Sequence, residues 1–72
     1  MTPKIAYLVA GFSSDLQVAL GYLRLRKSIS DMSEIRQAGS AYVCTVKIVK
    51  PFDEIARDIS ARFGRFVRLR KE

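Results

Sequence analysis

Arg57, Arg62, Arg65, Arg68, Arg70 and Lys71 crowd the last sixteen residues of this 72-residue chain, opposed there only by Asp58 and Glu72. Guanidinium and ammonium groups at that density have one chemistry to offer: they hold anions, by charge and by donated hydrogen bonds. The tract Arg65-Phe66-Val67-Arg68-Leu69-Arg70-Lys71 alternates loosely between basic and apolar residues, as a half-buried strand does. The whole chain carries a net charge of +6, with a pI near 10.0. A field of that sign suits nucleic acid, an anionic membrane or an acidic protein surface.

The residues for catalysis are sparse. The chain has no histidine, so the commonest general base is missing. Cys44 is the one cysteine, and its mid-strand position on a core face makes it a structural thiol rather than a nucleophile. Asp53 and Glu54 open a helix, where they compensate its dipole. Asp31 and Glu34 have no metal-ligand pattern around them, and Gly11 alone after a strand is no phosphate loop. The expectation is therefore no enzyme, no catalytic residue, no metal and no cofactor.

Elements must bring the cations together. Residues 4–12, KIAYLVAGF, bounded by Pro3 and Gly11, form a continuous apolar run too short for a typical helix, which predicts a central strand. Ser14-Asp15-Leu16-Gln17 has capping-box spacing, and Leu16, Ala19, Leu20 and Leu23 follow at helical spacing. Arg24, Arg26 and Lys27 close that helix at its negative end. Gly21 weakens its middle, which predicts close packing there. Residues 41–50, AYVCTVKIVK, form the clearest strand. Tyr42, Cys44, Val46 and Ile48 share one of its faces; Val43, Thr45, Lys47 and Val49 share the wetter one. Pro51 suits the first turn of a second helix with a stripe of Ile55, Ala56, Ile59 and Phe63, capped by Gly64. Residues 65–71 make the last strand.

Residues 28–37 read two ways: a loop with a short helix from Asp31, or a polar edge strand with Ala38-Gly39-Ser40 as its hairpin turn. Topology favours the strand. The order βαββαβ then fits one domain, residues 1–72, of α+β class: a ferredoxin-like two-layer sandwich with a four-stranded antiparallel sheet. Its apolar runs would take the centre and its polar runs, 29–37 and 65–71, the edges. The alternative is a three-stranded sheet with an extra short helix at 31–38. In the four-stranded fold Lys4, Arg24, Arg26, Lys27, Lys47, Lys50, Arg70 and Lys71 would gather at one end, diluted by Asp31, Asp53, Glu54 and Glu72.

Gly39-Ser40-Ala41-Tyr42-Val43-Cys44-Thr45 resembles part of the third-strand octamer of the RNA-recognition motif. It keeps the glycine, the small residue, one aromatic and the aliphatic. Ser40 and Thr45 stand where two further aromatics would, and Ala38 where a basic residue would. On the first strand, Tyr7 is similar to that family's stacking position. An outward Tyr42 would turn Lys47 toward the helices, which is costly for an unpaired charge. Tyr42 is therefore read as core, and the chain is not assigned to the family.

At this length only about 60% of the unfolded surface is buried, so oligomerisation would help a marginal core. The apolar open sheet face invites such a partner. Its expected interface residues are Tyr7, Val43, Thr45, Val49 and Phe66. Residues 5–23 contain a single charge, Asp15, but Phe12-Ser13-Ser14-Asp15 would put a polar turn at mid-bilayer, which argues against a membrane span and a secretory signal. With one free thiol the cytoplasm is the expected compartment. The leading expectation is a homodimeric, non-enzymatic binding protein. It would grip nucleic-acid phosphates through Arg24, Arg26, Lys27, Lys47, Lys50, Arg68, Arg70 and Lys71. The alternative is an inhibitor or adaptor, of a size that suits a phage or mobile element, docking an acidic protein surface by its sheet face or an edge strand.

Overall fold

The computed structural model describes residues 4–71. Pro3 and Glu72, invoked above, lie outside the described residues. The first apolar run forms β1 (Lys4–Ala10), in which Ala6, Leu8 and Ala10 are buried and Ile5, Tyr7 and Val9 are half-buried. Helix α1 (Ser13–Leu25) buries Leu16, Ala19, Leu20 and Leu23 against β1. After the edge segment, β4 (Ala41–Ile48) turns Cys44, Val46 and Ile48 to the core. Helix α2 (Phe52–Phe63) adds Ile55 and Ile59, and β5 (Val67–Lys71) adds Val67. Both helices contribute to this one core, on one side of the sheet. Among the described residues nothing covers the other side.

The fold is α+β, with two helices on one antiparallel sheet. That sheet has five strands rather than the expected four. The edge predicted over 29–37 is two short strands, β2 (Ile29–Met32) and β3 (Arg36–Ala38), both paired to β4. The sheet order is β2-β4-β1-β5, with β3 beside β2 on β4. No helix forms over 31–38, as the rival reading had it. Ser33 explains how the edge survives its own break. Its N–H donates to the Thr45 carbonyl at 2.8 Å, while its Oγ accepts the Thr45 N–H at 3.0 Å. A side-chain oxygen thus replaces the missing backbone acceptor. The buried Cys44 thiol donates to the Ser33 carbonyl at 3.1 Å.

The helices depart from the expected chemistry in three places. The capping box is not made: Phe12 is the N-cap, in extended conformation, and no side chain caps the helix. The helix starts two residues early, at Ser13, which moves Ser14 inside the first turn, away from the cap position. Pro51 is the N-cap of α2 rather than a first-turn residue. Gly21 is exposed, and a Cβ there would meet nothing within 4 Å. It packs against nothing because it lies on the solvent side of α1. Gly21→Ala is therefore expected to stabilise the protein by about 0.5–1 kcal/mol, by removing backbone freedom from the unfolded chain. A thermal melt followed by circular dichroism checks this; an unchanged or lower Tm contradicts it.

The end of α1 is built tightly. The Lys27 N–H donates to the Arg24 carbonyl at 3.0 Å and the Ser28 N–H to the Leu23 carbonyl at 2.9 Å. This is the paired bonding of a Schellman cap. It holds Lys27 at φ 55, the only non-glycine residue with positive φ among those described. Glycine suits that position better, since a Cβ there costs roughly 1–2 kcal/mol. Lys27→Gly is expected to raise stability by up to about 1 kcal/mol, less the added freedom of the unfolded chain. Urea unfolding decides it: a midpoint lowered at constant m-value would mean that the Lys27 side chain stabilises more than its backbone strain costs.

Two other glycines behave as the sequence predicts. Gly39, at φ 64, opens the two-residue turn between the paired Ala38 and Ala41. Gly64, at φ 61, ends α2 and donates to the Ser60 carbonyl at 2.9 Å. The last strand begins at Val67, so Phe66 lies in the preceding turn rather than in the sheet.

Candidate functional site

Strand register fixes which side chains share the open face. Val9 faces Val43 on one side and Arg68 on the other. Tyr7 faces Thr45 and Arg70, and Ile5 faces Lys47. Arg36 lies opposite Val43, and Asp31 opposite Lys47. Residues directly opposite in a ladder project to the same side. The open face is therefore an apolar strip of Ile5, Tyr7, Val9 and Val43, with Tyr7 on its central strand. Exposed Arg36, Lys47, Arg68 and Arg70 stand around it. Arg36 reaches inward, its guanidinium donating to Thr45 Oγ1 at 3.2 Å. Asp31 is the one acid in these cross-strand pairs. Among the described residues none of the four cations forms a salt bridge, the sole ion pair being Arg26 with Asp58 at 3.4 Å.

Six of the eight cations proposed from sequence fall into two groups. Lys47, Arg68 and Arg70 lie on the open face. Lys27 and Lys50 lie at the pole where α1 ends and α2 begins, and Lys71 ends β5 there. Lys50 Nζ donates to the Arg26 carbonyl at 2.9 Å. Lys71 Nζ stands 5.3 Å from the centre of the Phe52 ring. Lys4 and Lys71 border an open cleft of about 440 Å³ with Phe52 and Asp53. Arg26 is already engaged: besides Asp58, its guanidinium lies 5.6 Å from the Tyr22 ring centre. Arg24 stands apart, over a small cleft along β2 with Ile29 and Asp31.

Among the expected interface residues, Tyr7, Val43 and Thr45 sit on the open face. Val49 lies just beyond β4, exposed, with its N–H bonded to the Ser28 carbonyl at 3.0 Å. Phe66 is 66% exposed, as is Phe12; Phe66 precedes and Phe12 follows the end of the sheet where Ala10 pairs with Val67. Tyr42 packs partly against the core, as its parity with Cys44 requires.

Two features were not read from the sequence. Arg36 was lost in the ambiguous edge segment, although counting back from the Gly39-Ser40 turn places it opposite Val43. Tyr22 was not singled out. Its ring meets Phe63 edge-on at 6.0 Å and lies 4.8 Å from the Arg62 guanidinium. No group of three or more His, Cys, Asp or Glu gathers as a metal site among the described residues. No helix there is long and apolar enough to cross a membrane. Compared with known proteins, the chain matches no protein-family model, no curated protein and no solved structure.

Proposed function

We propose that this is a cytoplasmic, non-enzymatic binding protein of ferredoxin-like type that engages nucleic-acid phosphates. The interrupted β2–β3 edge counts as one strand in that reading, giving the order of a ferredoxin-like sheet. One observation carries the functional reading: among the described residues, Arg36, Lys47, Arg68 and Arg70 stand free of salt bridges around an aromatic and apolar strip that no described element covers. Cations without acidic partners keep their full charge for a ligand, and each neutralised phosphate releases counterion. The pole of Lys27, Lys50 and Lys71 extends the positive field and steers approach. Sequence specificity is low, because phosphate contacts position a ligand without reading its bases.

Fluorescence anisotropy with a labelled single-stranded oligonucleotide tests this. With four phosphates engaged, affinity should fall roughly 50-fold between about 50 and 200 mM salt. Absence of binding at the lower salt removes the proposal.

A second reading has its own support. Phe12 and Phe66, each 66% exposed, flank the end of the sheet remote from the basic pole. Such rings favour a domain that binds and modulates another protein, or pairs with a second copy over the open face. Light scattering across a concentration series would give a dimer mass in the latter case and a constant monomer mass otherwise.

A further inference from the structure

We infer that the outer edge of β5, with the cleft between β5 and α2, binds an extended acidic peptide by strand addition. This goes beyond the nucleic-acid reading and shares only Arg68 and Arg70 with it. The two edges of the sheet are unlike. The β2–β3 edge is bulged between Ile29 and Asp31 and broken after Met32. β5 pairs with β1 in unbroken register over Val67–Lys71 and, among the described residues, has no strand on its other side. A straight free edge offers backbone donors and acceptors to an incoming strand.

The space beside that edge is already shaped. An open cleft of about 380 Å³ runs between Ala56 and Ile59 of α2 and Val67 and Leu69 of β5, with Arg65 and Arg68 among its lining residues. Val67 and Leu69 project toward the helices, Arg68 and Arg70 toward the open face. A strand laid along β5 inherits this alternation. Its residues opposite Val67 and Leu69 enter the cleft and must be apolar. Those opposite Arg68 and Arg70 meet guanidinium groups and must be acidic.

The charges also exclude other occupants. A second copy adding its own β5 would set Arg68, Arg70 and Lys71 against the same cations, and like charges across a ladder repel. The other edge of a second copy carries Asp31, but its bulge and break prevent a continuous match. Nucleic acid brings neither main-chain amides for the edge nor alternate apolar side chains for the cleft.

The test uses a capped, amidated nine-residue peptide alternating Glu and Val, against the same composition in two blocks. The full protein is followed by ¹⁵N NMR. The alternating peptide should bind at least about ten-fold tighter than the block peptide. Val67–Lys71 amides should gain exchange protection, and shifts should appear at Ala56 and Ile59. One of two peptides, N-methylated at every Val or at every Glu, should lose that advantage while the other keeps it. Ala56→Phe should fill the cleft and weaken binding; exposed Arg68→Glu should weaken it without perturbing the fold. Equal binding of the block peptide overturns the inference, as do shifts confined to the Tyr7 face. So does a concentration-dependent dimer in which the β5 amides are protected before peptide is added.

Discussion

The Arg68→Glu/Arg70→Glu double variant is expected to lose about 100-fold in affinity for a single-stranded oligonucleotide at low salt, while its melting temperature stays near that of the parent. Both side chains are exposed on an edge strand and form no ion pair among the described residues. Removing them takes nothing from the core. Their loss halves the cations around the apolar strip, and the new carboxylates repel phosphate. The salt slope should therefore fall from about −3 to about −1.5 or less, at roughly 0.7 per phosphate for single strands. The same measurement on Lys50→Ala locates the ligand. If the open face carries the contact, Lys50→Ala changes affinity only a few-fold, because Lys50 Nζ is tied to the Arg26 carbonyl. A double variant that binds like the parent, with Lys50→Ala strongly impaired, would move the site to the pole.

The largest effect on stability is expected from Leu8→Ala. Leu8 is fully buried in the central strand, with Cys44 and Leu69 opposite it on the two neighbouring strands. Deleting three buried carbons from such a site costs about 2–5 kcal/mol, the upper part applying where the surroundings cannot close in. A domain of this size holds roughly 4–11 kcal/mol in total. The variant should melt at least about 10 °C lower than the parent. Where that total lies near its lower bound and the cost near its upper, the variant is substantially unfolded already at about 25 °C. Urea titration gives the value; a shift equivalent to under about 1 kcal/mol would mean that the two helices move in to fill the space.

Much of the fold was written in period and parity. The two-residue alternation of 41–48 fixed which face of β4 is buried, and Lys47 fixed which is wet. Helical spacing found Leu16, Ala19, Leu20 and Leu23, and the glycines at 39 and 64 marked their turns. What failed were features set by one atom's partner rather than by a pattern. The break after Met32 is invisible because it depends on Ser33 Oγ replacing a backbone acceptor. The capping box was legible but false, since a helix start two residues earlier takes Ser14 out of the cap position. Gly21 was misread because a glycine shows the same letter whether it packs closely or merely faces water. The site was half legible. The cationic residue types were plain, but their division between the open face and the pole follows from register. Arg36 joins them only through its hairpin.

The interrupted margin formed by β2 and β3 has a consequence for behaviour in crowded solution. Endless head-to-tail growth of sheets needs two receptive borders on every molecule, so that each newcomer offers a fresh one. Here one border is bulged and broken after Met32, and the other is straight but ringed with positive charge. Any assembly through the sheet therefore stops after a single addition, and the protein should remain free of fibrils at concentrations where a flat neutral margin would polymerise.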